Sequence, residues 1–305
     1  MKITDILFRN NKIYEELGID DKLSSTGLYS DAWKRLKKNK AAMLSLVIII
    51  ALVFVAIFAD FISPYSPEEQ DLRNKLQGPS SEHLLGTDHL GRDILSRIIY
   101  GSRVSLSVGI VAESIAVVIG IIMGTMAGFY GGKVDYLISI LIEVFASFPF
   151  ILFAIAVMFV LGPGITNVFI AIGVIGWTTL ARTVRGQVIQ LKEKEYIEAA
   201  KASSSSSIRT IIKHIIPNCL STIIVIVTLH IPGDIMTEAT LSFLGLGVQP
   251  PMPSWGEMIN NSRKFMRQAP TYSLFPGIAI MLTVLSFNTL GDGLRDALDP
   301  RLKNL

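Results

Sequence analysis

Long apolar runs alternate with short polar segments along most of this chain. Five or six of them approach or exceed the ~20 residues that an α-helix needs to cross the hydrocarbon core of a bilayer. They cover residues 41–62, 104–129, 137–161, 168–188, 220–243 and 273–290. The pattern predicts an all-α, polytopic membrane protein.

Composition supports a membrane location. The chain is 50% hydrophobic and only 17% charged, with a mean hydropathy of +0.49, whereas about 25% of the residues of a soluble domain are charged. A large soluble core would not need so many uninterrupted apolar runs. The one cysteine, Cys219, excludes an intrachain disulfide and a cysteine metal cluster.

The basic residues predict the number and direction of the spans, because Lys and Arg are enriched on the cytoplasmic side. The first 40 residues hold nine of them, five between Trp33 and Lys40. With six spans and both termini in the cytoplasm, 20 of the 28 Lys/Arg lie inside. A five-span model would put the basic cluster at 192–213 or the C-terminal tail outside, so six transmembrane helices are expected.

The chain then divides into five parts. These are a cytoplasmic tail with an interfacial basic helix (1–40), a first transmembrane helix (41–62), an extracytoplasmic loop with an amphipathic helix (63–100), a core of five transmembrane helices (101–297) and a cytoplasmic tail (298–305). The first apolar run is too long for the apolar region of a cleaved signal peptide. The amphipathic helix is predicted from the helical spacing of Ile94, Leu95, Ile98 and Ile99.

Glycine and proline predict two features inside the spans. Gly120, Gly124 and Gly128 recur every four residues, which favours close approach of another helix. Pro149 interrupts the third span and predicts a kink there. The Gly- and Pro-rich stretch at 241–255 is expected either to be buried in protein or to line a cavity, because such backbone is not tolerated against lipid.

The polar stretch at 190–218 lies between two predicted spans and is the main candidate site. Residues 195–202 favour a short helix, and alanines give it a low surface that fits a partner's cleft. Five serines at 203–207 interrupt it, and one is expected to cap a second helix that ends at Pro217. The alternative is a solvated cytoplasmic loop without a partner.

Four segments carry a resemblance to a known family. Glu198, Ala199 and Ala200, with Pro217 behind them, resemble the EAA loop of ABC importer permeases. The other three are GTD at 86–88 with GRD at 91–93, EATLSFLGLG at 238–247 followed by PSWG at 253–256, and LGDGLRDALDPR at 290–301. Together, from about residue 33 to 301, they are similar to the C-type permease subunit of dipeptide and oligopeptide importers.

This resemblance implies a six-span type I ABC importer permease in a bacterial or archaeal plasma membrane. The implied partners are a homologous B-type permease, two cytoplasmic ATPases that use ATP and Mg, an extracytoplasmic binding protein and membrane lipid. The chain itself would bind no cofactor, metal or nucleic acid and would catalyse no reaction. Its substrates would be di- or oligopeptides, with nickel chelates, glutathione, sugars or other small solutes as alternatives.

Two sets of candidate site residues follow. By resemblance, the segment that couples to an ATPase contains Glu195, Glu198, Ala199, Ala200, Ser204 and Pro217. Ser204 replaces the usual glycine, which predicts a stiffer bend. Four acids in or near the spans are candidates for the pathway or for polar contacts between helices: Glu113, Glu143, Asp234 and Glu238. Ile140 occupies a position where a basic residue is expected, which leaves Glu143 without that partner.

Other classes of protein fit the sequence less well. No P-loop motif is present, so ATP must be bound elsewhere. An ion-driven secondary carrier would be expected to have inverted repeats and paired intramembrane charges, and no repeat is evident. An intramembrane enzyme would need a nucleophile and a base, and the four histidines lie on different predicted segments.

Overall fold

The computed structural model describes residues 28–202 and 206–299. Over these residues the chain is helical, apart from turns and an isolated bridge between Thr87 and Asp93. In chain order the helices are α1 Leu28–Lys38, α2 Lys40–Ile57, α3 Ala59–Ile62, α4 Ile94–Tyr130, α5 Gly132–Ala146, α6 Phe150–Leu161, α7 Ile165–Lys192, α8 Glu195–Ala202, α9 Ser207–Phe243, α10 Trp255–Ser262 and α11 Pro270–Leu298.

Five of these helices, α2, α4, α7, α9 and α11, are long and apolar enough to cross a membrane. The pair α5 and α6 makes a sixth span if the two helices are counted together. The predicted all-α, polytopic architecture is confirmed. Polar backbone groups cannot be left unpaired in hydrocarbon, so a chain with these apolar runs is confined to helices in the membrane.

The predicted single kinked span at 137–161 is instead two helices that meet at 88°. Pro149 has no N–H to donate, and proline disfavours helical backbone at the residue before it. Consequently α5 ends at Ala146 and α6 begins at Phe150. A bidentate ion pair between Asp135 and Arg185 ties α5 to α7.

The glycine face of α4 packs against α7, as the spacing predicted for an unspecified partner helix. A Cβ atom on Gly124 would lie 2.5 Å from the carbonyl oxygen of Ala181, and one on Gly128 would lie 2.8 Å from that of Arg185. On α7, a Cβ on Gly173 would lie 2.7 Å from the Cβ of Ile115 on α4. Because these distances exclude any larger residue, the two backbones are in direct contact.

The residues of the predicted amphipathic helix are helical and form the first turns of α4, with which they continue into the second span. Asp93 caps this helix by accepting a hydrogen bond from the Ser96 backbone N–H at 2.7 Å. Ser96 and Arg97, expected to face water, are fully buried. They are covered by the segment 63–93 and by α10, to which Arg97 donates a hydrogen bond at Glu257.

The interfacial basic helix predicted within residues 1–40 is α1. It packs against the C-terminal end of α11 through Ala32 and Leu36, whereas Trp33 is 45% exposed. Gly293 lets the start of α2 approach α11 beside this contact, because a Cβ there would lie 2.4 Å from that of Ala42. The rest of the predicted N-terminal tail before residue 28, and most of the C-terminal tail, lie outside the described residues.

Candidate functional site

The candidate coupling segment begins with α8, the short helix between the spans α7 and α9. Glu195, Tyr196 and Glu198 are exposed on it, and Lys194, directly before it, is exposed too. Ala199 and Ala200 belong to the same helix, and Ser204 lies outside the described residues. The predicted helix over residues 195–202 is therefore present, and its first turn displays two carboxylates to a partner.

Ile197 fixes α8 to the rest of the molecule. Its side chain is fully buried in a cluster with Leu180, Val184 and Val188 of α7 and with Ile215 and Cys219 of α9. This role of Ile197 was not predicted from the sequence. The available signal was a single large aliphatic residue among charged ones, which is typical of a position that packs against the core. Because α8 is held by both neighbouring spans, movement of α8 and movement of α7 and α9 are mechanically linked.

The second half of the loop differs from the prediction. A serine does cap the helix: the Ser206 side chain accepts a hydrogen bond from the Arg209 backbone N–H. The helix, however, does not end at Pro217. It continues from Ser207 to Phe243 through a π-helical turn at Ile211–Ile215. The wider turn accommodates a proline that cannot donate to the preceding turn, so the loop leads without a break into α9.

Two cavities lie between α7 and α9, and together they form what we call the groove. The cavity near α8 has a volume of about 700 Å³ and is lined by polar side chains that include Gln187, Asn218 and Thr222. The second cavity, further along α9, has a volume of about 270 Å³. Leu229 lines both. Polar side chains on membrane-spanning helices mark water-filled paths or contacts between helices, and here they follow a single groove.

The second cavity brings together two of the four candidate acids. Glu113 of α4 and Asp234 of α9 both line it, and both are almost completely buried, with 2% and 7% of their surface exposed. His230, one turn before Asp234, places its Nδ1 3.5 Å from Glu113 Oε1. His230 was assigned to no site from the sequence. Its spacing of four residues from Asp234 was the available signal, because such residues share a helix face.

The other two candidate acids lie elsewhere. Glu143 is exposed on α5 and lines neither cavity of the groove. Glu238 is fully buried and accepts hydrogen bonds from Ser242 at 2.7 Å and from Ser105 at 3.2 Å. Ser105 also accepts a hydrogen bond from the Trp255 backbone N–H. Glu238 therefore joins α4, α9 and the start of α10, and it lines neither cavity of the groove.

Metal binding has no candidate in the described part of the chain. Among residues 28–202 and 206–299, no group of three or more His, Cys, Asp or Glu side chains is arranged to hold a metal ion. The arrangement at the candidate site has two parts. It combines a polar groove along two spans with an exposed charged helix fixed to the same two spans.

Comparison with known families agrees with this arrangement. Residues 116–304 match the family described as binding-protein-dependent transport system inner membrane component. Residues 27–79 match the N-terminal transmembrane domain of oligopeptide transport permease C. The first match alone spans more than half of the chain.

Similar proteins carry names from the same class. The dipeptide transport system permease protein DppC of Alkalihalophilus pseudofirmus is 47% identical over 285 residues, which cover 93% of this chain and 94% of that protein. DppC of Bacillus subtilis is 44% identical, covering 92% of this chain and 88% of that protein. The glutathione transport system permease protein GsiD of Escherichia coli O157:H7 is 46% identical, covering 90% and 91%.

Among solved structures, the inward-facing MetNI methionine ABC transporter contains a chain with the same fold. The TM-score is 0.54 at 18% identity, over 68% of this chain and 98% of that one. The groove and the short helix between α7 and α9 thus occur in a fold known from an ABC transporter. The chain belongs to the family of binding-protein-dependent transport system inner membrane components, as a C-type permease of ABC importers.

Proposed function

We propose that this chain forms half of the translocation pathway of an ABC importer for di- and oligopeptides and couples that pathway to ATPases in the cytoplasm. The observation that carries the proposal is the joint placement of groove and coupling helix. The polar groove runs between α7 and α9, and Ile197 fixes α8 to these same two helices.

The mechanism follows from this connection. The ATPases bind α8 through its exposed face, which includes Glu195 and Glu198. When ATP closes the ATPases, they move α8, and the contacts of Ile197 transmit the movement to α7 and α9. The groove then alternates between opening to one side of the membrane and opening to the other. The free energy comes from ATP and Mg bound by the partner chains.

The complete importer requires further chains. A homologous B-type permease supplies the other half of the pathway, and an extracytoplasmic binding protein delivers substrate to the side remote from α8. In this orientation both termini and α8 face the cytoplasm of a bacterial or archaeal cell. The excess of basic residues in the segments assigned to that side supports the orientation.

Peptides are the substrate class that the relatives favour. Two DppC proteins at 47% and 44% identity support dipeptides. A GsiD protein at 46% makes glutathione, itself a small peptide, the second candidate. Nickel chelates lack a comparable observation in their favour.

Reconstitution in proteoliposomes tests the proposal. The chain is assembled with its B-type permease, ATPases and binding protein, and uptake of radiolabelled dialanine and glutathione is measured with and without ATP. We expect ATP-dependent uptake of dialanine.

The double variant Glu198→Lys with Ala199→Asp should remain in the membrane and abolish uptake, because it reverses one charge and adds another on the ATPase-binding face. Normal uptake by this variant would refute the coupling role of α8.

A further inference from the structure

The acid pair in the second cavity has unsatisfied hydrogen-bonding capacity. Within the described residues, Asp234 Oδ2 and Glu113 Oε1 are buried and have no hydrogen-bond partner. The side chain of His230 is next to Glu113, and its Nδ1 lies 3.5 Å from Oε1. That distance is too long for a strong hydrogen bond. Both oxygens therefore lack a donor within the described residues, and both side chains border the cavity.

Two carboxyl groups at this depth also form an electrostatic arrangement that selects for positive charge. The side chains of Asp234 and Glu113 line the same small cavity. Like charges in such proximity repel each other, and ionisable groups within a membrane span are costly unless paired. A cationic group between them would relieve both penalties, provided that it donates hydrogen bonds in several directions.

We propose that Glu113 and Asp234 form a subsite in the groove for the free α-ammonium group of a peptide in transit. This inference rests on the proposed function, because it assigns the substrate group that the groove recognises. An ammonium group carries three donors, so it can satisfy one oxygen from each acid and one further acceptor. Thr178, Thr179 and Thr237 line the same cavity and provide hydroxyl acceptors.

The chemistry of the site favours an organic ammonium group over a metal ion. No three side chains among the described residues are arranged as metal ligands. The volume of about 270 Å³ lies close to the lower end of the roughly 300–1,000 Å³ range of small-molecule sites. Dipeptides and glutathione share a free amino group, so one subsite serves both candidate substrates.

Competition binding tests the subsite without the selectivity of the binding protein. The complex of both permeases and the ATPases is placed in nanodiscs without binding protein or ATP, and bound tritiated dialanine is measured by scintillation proximity. Unlabelled dialanine and propionyl-alanine, which differs from it only by lacking the amino group, are the competitors. We expect propionyl-alanine to compete at least about tenfold more weakly, the ratio expected when charge-assisted hydrogen bonds are lost.

Three variants separate recognition from structure. Glu113→Gln with Asp234→Asn keeps the shape of both side chains and should lose the preference for the amino group. Glu113→Asp with Asp234→Glu keeps both charges and should retain it. Glu143→Gln neutralises an acid that lines neither cavity of the groove and should behave as the wild type.

Each contrary result overturns the subsite. These results are equal competition by the two compounds in the wild type, no saturable binding of dialanine, a preference that persists in the neutral pair, and loss of the preference in the charge-conserving pair. ATP-driven uptake of dialanine by the wild type, measured in parallel, separates the two claims. If uptake occurs without discrimination, the subsite is wrong and the importer function stands, whereas absence of uptake contradicts the function itself.

Discussion

Arg97 is a fully buried charge at the start of α4, and its guanidinium group connects three segments. It donates to Glu257 of α10 at 2.9 Å and to the Pro67 carbonyl oxygen at 3.0 Å, and its Nε lies 3.7 Å from Asp88 Oδ2. Burial raises the pKa of the Glu257 carboxyl group, and Arg97 opposes that rise. The guanidinium group therefore compensates two buried acids.

Replacement of Arg97 should strongly destabilise the packing of α10 and of the segment 63–93 against the start of α4. The Arg97→Ala variant leaves Glu257 buried without the cation that donates to it, whereas Asp88 keeps Arg92 at 2.7 Å, and the expected cost is about 3–5 kcal/mol. The thermal unfolding midpoint of the purified protein measures the effect. Arg73→Ala, at an exposed position of the same segment, is the matched control and should change stability by less than about 0.5 kcal/mol. Equal midpoints for the two variants would contradict this role of Arg97.

The GRD motif needs a glycine at position 91 because of the turn that it forms there. Gly91 has φ +76°, and a Cβ there would lie 1.8 Å from the carbonyl oxygen of Asp71. This turn places Asp88 to accept hydrogen bonds from the Leu90 and Arg92 backbone N–H groups at 2.8 and 3.0 Å. GTD and GRD were recognised as motifs from the sequence alone. The structure shows why GRD begins with glycine: the backbone at Gly91 has a positive φ and leaves no room for a side chain.

At the scale of helices, the contact between α4 and α7 depends on the absence of side chains. Gly120, Gly124 and Gly128 lie against Leu180, Ala181 and Val188. In a bilayer, association of helices gains little from the hydrophobic effect and relies on close packing. The glycine face therefore determines which helix is adjacent to α4.

Substitutions at two glycines of this pair should have opposite effects. Gly124→Val forces a side chain into the Ala181 carbonyl oxygen and should cost about 1–3 kcal/mol or more. Gly186→Ala on α7 adds a Cβ that meets nothing within 4 Å among the described residues and should stabilise the helix by roughly 0.5–1 kcal/mol. Thermal unfolding of both variants provides the measurement, and a stabilised Gly124→Val variant would be inconsistent with direct backbone contact.

The attachment of α8 makes a second prediction at this scale. Ile197→Ala removes the buried anchor at a cost of about 2–5 kcal/mol, and a helix of eight residues is not stable alone. Hydrogen–deuterium exchange of residues 195–202 should accelerate and ATP-driven uptake should fall. Ile208→Ala, whose side chain is 67% exposed, serves as the control. Unchanged exchange in the Ile197 variant would show that α8 is held by other contacts.

At the scale of the whole molecule, one permease presents a groove that is open along its surface. The polar lining lies on α7 and α9, with Glu113 of α4 at its floor and Arg295 of α11 near the α8 end. Exposed polar side chains at membrane depth would contact lipid in an isolated chain. A second permease that faces this groove would enclose it, and the path would then lie between two subunits.

The orientation of the molecule is testable by chemical labelling. In a Cys219→Ala background, Glu68→Cys in the outer segment should react with a membrane-impermeant maleimide in intact cells, and Lys34→Cys in α1 should react only after permeabilisation. Both parent side chains are exposed, whereas native Cys219 is only 1% exposed. The reverse pattern of labelling would invert the proposed orientation.

The sequence by itself determined the spans, the short helix of the coupling loop, the serine cap and the glycine face, because each depends on residues close together in the chain. The number of consecutive apolar residues determines whether a helix can cross the membrane, and hydrogen bonds between neighbouring residues determine where that helix begins and ends. The effects of Pro149 and Pro217 could not be predicted from local sequence. The span with Pro149 is divided into two helices at 88°, whereas the helix with Pro217 continues through a π-helical turn. Packing around each proline decides between these outcomes.

Only the tertiary structure decided which residues meet across the chain. Glu113 meets His230 and Asp234, Arg97 meets Glu257, and Ile197 enters a cluster formed by α7 and α9. These contacts join residues on different helices, and their formation depends on which helix faces can approach each other. The chain thus encodes its membrane helices locally, while its groove, its acid pair and the anchor of its coupling helix exist only because those helices pack together.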